Sequence, residues 1–227
     1  MDISKEAFIV PRTPQELAQY VNDAYEYICG HDELVKVARL KREPYKTFAE
    51  EFMPFSVFCC WKYDDRNDVL CSLAPGTTDH DAVVKDQTTG TEHEVEITWP
   101  IDGRQIIFEA RQLNEHGHTD PNIWDIHDLS EHTKALSNTL EKVRRKKVVR
   151  DYRCPGGSTL IIVFDEEPLF WENNSQHACL LDKLTADLGQ TELKVDNILL
   201  MFMPNKRIVV VRSAEPANEA ARDRECA

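Results

Sequence analysis

The 227-residue chain has a formal net charge of −13, with 41% apolar and 30% charged residues, a balance that suits one well-solvated domain with its own core. No apolar run approaches the roughly 18–20 residues of a membrane helix, and the start Met1-Asp2-Ile3-Ser4-Lys5-Glu6 lacks the basic-then-apolar pattern of a signal peptide, so a cytoplasmic protein without a membrane partner is expected. So acidic a chain starts at a disadvantage in binding nucleic acid, where Lys and Arg neutralise phosphates, unless its positive charge is concentrated in one place.

The predicted elements begin with an N-terminal helical segment over residues 1–43. Thr13 and Pro14 form a helix start, and Leu17, Tyr20, Val21, Ala24 and Ile28 follow at helical spacing up to Gly30. A shorter helix is expected over 32–41. Another follows Pro44, with Phe48 and Phe52 on one face, and Pro54 is expected to stop it. The run Phe55–Tyr63 is rich in strand formers and reads as a buried strand, and Val69–Leu73 as a short one. Asp81–Lys85 and His93–Thr98 read as two strands joined by a turn around 87–90, the second with strict alternation.

Ile106–Phe108 is a further strand candidate, and the polar stretch 113–128 reads as a long loop. A helix is expected over 130–150. Ser158–Phe164 is a continuous apolar run of the kind found inside a sheet. A helix from Ser175 carries Leu181, Leu184 and Leu188 inward and is capped by Gly189, and 198–203 and 208–211 form a closing hairpin. The pattern predicts an α/β fold, a central mixed sheet flanked by helices, over 44–212, with a flexible tail over 213–227.

Seven cysteines at irregular spacing contain no C-x-x-C pair, which argues against a zinc ribbon or a thioredoxin-type motif and suits a reducing compartment. No Gly-rich phosphate loop, G-x-S-x-G elbow or dinucleotide fingerprint is present.

Two carboxylates stand out. If the turn of the 81–98 hairpin centres on Thr88–Thr89, Asp81 lies opposite Glu96, where Cβ atoms are about 4.5–5.5 Å apart. Carboxylates so close repel unless a positive charge intervenes. A hard cation such as Mg²⁺ or Mn²⁺ suits them, and it could polarise a phosphoryl group and activate water. The same alternation of Glu94, Glu96 and Thr98 equally suits the solvent face of an edge hairpin.

The order of elements over 44–165 resembles the PD-(D/E)XK, or restriction-endonuclease-like, nuclease superfamily. A helix carries Glu50 and Glu51, a strand starts at Asp81, a strand carries Glu96-Ile-Thr98, and a helix and the 160–164 strand follow. The resemblance implies metal-dependent phosphodiester hydrolysis, with Asp81 and Glu96 as metal ligands and Glu51 or Glu50 assisting. The chain departs from the family at His80, where Pro is frequent, and at Thr98, where the motif has Lys. Lys142, Lys146 or Lys147 from the following helix are candidates to replace that charge, with Lys146 and Lys147 preferred. An inactive nuclease-like fold that binds another protein, or an acidic DNA mimic, remain as rival expectations.

The stretch Lys142–Arg153 concentrates positive charge, and Arg144, Arg145, Lys147 and Arg150 are the candidate nucleic-acid contacts. The same charge also favours a helix C-terminus through the macrodipole. His116, His118, His127 and His132 cluster near Asp120, Asp125 and Asp128 at spacings that match no zinc motif, and read as a solvated loop.

Overall fold

A computed structural model describes residues 1–76, 78–100, 103–118, 141, 145, 151–164, 182, 185–190, 192–203 and 206–214. It contains a six-stranded mixed sheet with the strands in sequence order: β1 (Val69–Leu73), β2 (Ala82–Asp86), β3 (Glu92–Thr98), β4 (Ser158–Phe164), β5 (Asn197–Phe202) and β6 (Arg207–Arg212). β1–β3 run antiparallel, β3–β5 run parallel, and β6 returns antiparallel to β5. The central strands β4 and β5 are buried along their whole length, as a continuous apolar run requires.

The helices precede the sheet: α1 (Lys5–Phe8), α2 (Pro14–Cys29), α3 (Asp32–Arg39), α4 (Tyr45–Thr47), a π-helical turn (Phe48–Phe52) and α5 (Met53–Tyr63). Thr13 and Glu16 form a reciprocal capping box at the start of α2. Its stripe of Leu17, Val21, Ala24 and Ile28 packs in one cluster with Phe8, Phe48, Phe52, Phe55 and Phe58. The same cluster takes in Val69, Cys71, Leu73, Ala82, Val84, Val95 and Ile97 of the sheet. The N-terminal helices therefore share a core with the sheet. Arg12 pairs with Cys71 through main-chain hydrogen bonds of 3.0 and 2.7 Å, adding a cover to the β1 edge. On the opposite face, Leu160, Ile162, Phe164, Ile198, Leu200 and Phe202 pack with Tyr152, Leu188, Leu193 and Val195.

Several expectations are corrected. Phe55–Tyr63 is helical, not a strand, and Pro54 lies in the first turn of α5 rather than ending the helix. A proline has no N–H for the carbonyl four residues back. Here that carbonyl, on Glu50, accepts instead from Trp99 Nε1 at 2.7 Å. The helix absorbs the break through the π turn, where the Met53 N–H reaches Phe48 O. Ile106–Phe108 belongs to the helix α6 (Gly103–His116), which also takes the start of the expected 113–128 loop. Gly189 lies within the helical stretch 185–190 rather than capping it.

Of the expected 130–150 helix, Glu141 and Arg145 are helical and the rest lies outside the described residues, as do the tail from 215 and residues 119–140. No helix among the described residues is long and apolar enough to cross a membrane. Among the described residues, Cys29, Cys59, Cys60, Cys71 and Cys154 form no disulfide.

Candidate functional site

The β2–β3 ladder pairs Ala82 with Val95, Val83 with Glu94 and Lys85 with Glu92. One further step places Asp81 across from Glu96, as a turn centred on Thr88–Thr89 demands. The turn is fastened by Asp86, whose carboxylate accepts from the N–H groups of Thr88 and Thr89 at 2.9 and 2.8 Å. Arg66 bridges Asp86 and Asp68. These bonds hold the Asp86 carboxyl down at about 2.

Asp81 sits just before β2, where β3 runs on without a strand neighbour on that side. Its own N–H donates to Val95 O at 3.0 Å, and its carboxylate accepts the Ile97 N–H at 2.7 Å. The side chain thus caps the end of the ladder and is oriented by it. Beside it comes Glu51, from the π turn. Burial, first, and then the negative charges of Asp81, Glu43 and Glu50 push the Glu51 carboxyl up to about 7, while Lys5 opposes them. Glu43 is bound by Thr47 Oγ1 at 2.9 Å and by Lys5 at 3.4 Å.

Glu96 is buried. It is in register with Leu160 of β4, so strand alternation puts it on the Leu160–Ile162 face, with Thr98 two residues on. The charge of Asp81 acts on Glu51, while Glu96, across the ladder from Asp81, leaves β3 on the face away from the helices that carry Glu51. His80 lies 3.6 Å from Glu94 on the Glu96 face. Arg145 is exposed and pairs with Glu141 one helical turn away, at 3.0 Å. Asp151 binds Arg153, at 2.7 Å. Arg144, Lys146, Lys147 and Arg150 lie outside the described residues. His116 and His118 stand at the end of α6, with the His118 ring against the His116 carbonyl, and His127 and His132 are likewise outside.

Two residues that the sequence did not single out flank the acidic group. Lys41 Nζ binds Glu50 Oε1 at 2.6 Å and lies 5.9 Å from the centre of the Trp99 ring. Trp99 in turn donates to the Glu50 carbonyl. The Pro54 break in the helix is the only local signal for this contact, since it leaves a carbonyl in need of a donor.

The donors at Asp81 and Glu51 are all carboxylate oxygens, which suit a hard cation; the Glu51 carboxyl is raised by burial first and by the neighbouring carboxylates second, and such an ion would offset the second cause. Mg²⁺ needs only one or two carboxylates when substrate phosphate and water complete its shell. Among the described residues no group of three or more His, Cys, Asp or Glu is arranged as a ready-made cation cage. No family model, curated protein or solved structure matches the chain.

Proposed function

We propose that the chain is a restriction-endonuclease-like domain that hydrolyses nucleic-acid phosphodiesters with Mg²⁺ or Mn²⁺. The observation that carries this reading is Asp81, held by the Ile97 N–H at the open end of the hairpin and crowded by Glu51. The order of elements supports it: acidic helix, strand opened by Asp81, strand carrying Glu96-Ile-Thr98, and a crossover to the parallel strand β4. Asp81 and Glu51 would hold the ion, while Glu96, across the ladder from Asp81, leaves β3 on the face away from the helices that carry Glu51. When bound, such an ion polarises the phosphoryl group and lowers the pKa of attacking water. The chain's part is to orient Asp81 through the main chain and to keep Glu51 beside it in a half-buried setting.

The test is a Mn²⁺ titration by calorimetry and thermal melting, paired with cleavage of labelled DNA and RNA. The wild type should bind Mn²⁺, melt at higher temperature with it and cleave. Asp81→Ala should lose all three. Replacing Arg144, Lys146 and Lys147 with Ala should weaken nucleic-acid binding and flatten its salt dependence. Equal Mn²⁺ binding by wild type and Asp81→Ala would refute the site.

A second reading, an inactive nuclease-like fold that binds another protein, draws on Thr98 in place of the motif lysine and on Glu96 facing away from Glu51. Nucleic-acid binding without cleavage, or neither, by a well-folded wild type would favour it.

A further inference from the structure

We propose that Trp99 is a positioning residue of the acidic group: by holding the Glu50 carbonyl it sets the π turn, and Glu51 with it, against the strand end that holds Asp81. This inference rests on the reading of Asp81 and Glu51 as the holders of a hard cation. Two carboxylates share one ion only if their separation is fixed, and these two come from segments that meet only in the folded chain.

The end of β3 and the residue after it grip both segments. The Ile97 N–H binds the Asp81 carboxylate at 2.7 Å. Two positions on, Trp99 Nε1 donates to the Glu50 carbonyl at 2.7 Å. Ile97 and Trp99 both pack with the core cluster that holds Phe48 and Phe52 of the π turn. Asp81 and Glu51 therefore take their places from one short stretch, Ile97 to Trp99, although one opens the hairpin and the other belongs to the helical layer.

Pro54 is what leaves the Glu50 carbonyl to Trp99. In an α-helix that carbonyl would accept from the N–H of residue 54, which a proline lacks, and the proline ring would crowd it. The chain answers with the π turn Phe48–Phe52, where the Met53 N–H reaches Phe48 O. One extra residue in the turn rotates Glu50 and Glu51 by about 100° from where an unbroken α-helix would put them. Trp99 meets the carbonyl in this rotated setting. The burial of Glu51 and the action of the Asp81 charge on it agree with the placement.

A plain structural role, in which Trp99 only satisfies a buried carbonyl, makes a different prediction. Trp99→Phe keeps an aromatic ring and removes the donor. In the structural role it lowers the melting temperature and leaves the Mn²⁺ affinity of the folded protein unchanged. In the positioning role it weakens Mn²⁺ binding roughly tenfold, as loss of a group that orients a metal ligand does. Four proteins are compared well below their melting temperatures: wild type, Trp99→Phe, Glu51→Gln and Trp99→Phe/Glu51→Gln. Mn²⁺ is titrated and its free fraction read by electron paramagnetic resonance. In the Glu51→Gln background, Trp99→Phe should change the affinity by less than about twofold, because its effect runs through that carboxylate. If Trp99→Phe fails to melt cooperatively, Pro54→Ala/Trp99→Phe takes its place. The restored N–H at position 54 then serves the Glu50 carbonyl, and Mn²⁺ binding should stay weak because nothing ties the turn to the end of β3.

Wild-type Mn²⁺ affinity in the folded Trp99→Phe protein or in its replacement would overturn the inference, as would an equal loss with and without Glu51, while leaving the cation site standing. A wild type that binds no Mn²⁺, or whose binding ignores Asp81→Ala, would overturn both.

Discussion

Glu51 offers the sharpest quantitative test, because its protonation is coupled to folding. In the unfolded chain its carboxyl loses its proton near 4.5, whereas in the folded protein burial and the charges of Asp81, Glu43 and Glu50 keep it to about 7. Between those values the native state binds the extra proton, so stability falls as pH rises through that window and stays low above it. Each pH unit of the window is worth about 1.4 kcal/mol, about 3 kcal/mol in all, and partial contact with solvent reduces this to about 2 kcal/mol. Glu51→Gln removes the titrating group while keeping its shape. At pH 5 the variant should match the wild type within about 0.5 kcal/mol, and at pH 8 it should be more stable by about 2 kcal/mol. Urea unfolding at pH 5, 6, 7 and 8, followed by tryptophan fluorescence and far-UV circular dichroism, gives the difference directly, and other titrating groups cancel in it. A Glu51→Gln protein with the same pH dependence as the wild type, or one less stable at pH 8, would refute the raised Glu51 carboxyl. Asp81→Asn should shift the wild-type loss to lower pH, because it removes the second-largest cause of the raised carboxyl.

Gly156→Ala should destabilise the protein by more than about 2 kcal/mol in chemical denaturation, since a Cβ there would fall 2.0 Å from the Glu92 carbonyl oxygen, a main-chain clash at the start of the β3–β4 pairing that no side-chain movement relieves. Thr13→Ala should cost about 1 kcal/mol in the same assay through the lost capping box; an unchanged urea midpoint would mean that α2 is held by its buried stripe alone.

Where local chemistry decides, the sequence was sufficient. Thr13, Pro14 and Glu16 lie within four residues and fix the start of α2 through bonds among themselves. Strict alternation and a short polar turn set the register of β2 and β3, because a slip by one residue would turn Val95 and Ile97 out of the core. The unbroken apolar runs of β4 and β5 could only be central strands or buried helices, and their length of six to seven residues favours strands.

Phe55–Tyr63 and Ile106–Phe108 show the limit of that reasoning. A short segment buried on several sides satisfies both periodicities, and aromatic, cysteine and β-branched residues lean towards strand until packing overrides them. For α5 the decision came from a distant residue: Trp99 takes the carbonyl that Pro54 cannot serve, so a helix can run through a position where local rules end it. The site divides in the same way. Asp81 and Glu96 were legible as opposed positions of one hairpin, but which carboxylates meet depends on which face each leaves and on what packs above it. The layer formed by the π turn sets Glu51 against Asp81 and Lys41 against Glu50. Such charge contacts, the second between positions 9 apart, leave no local pattern, because Coulomb forces depend on distance in space and on burial, both of which only the folded chain supplies.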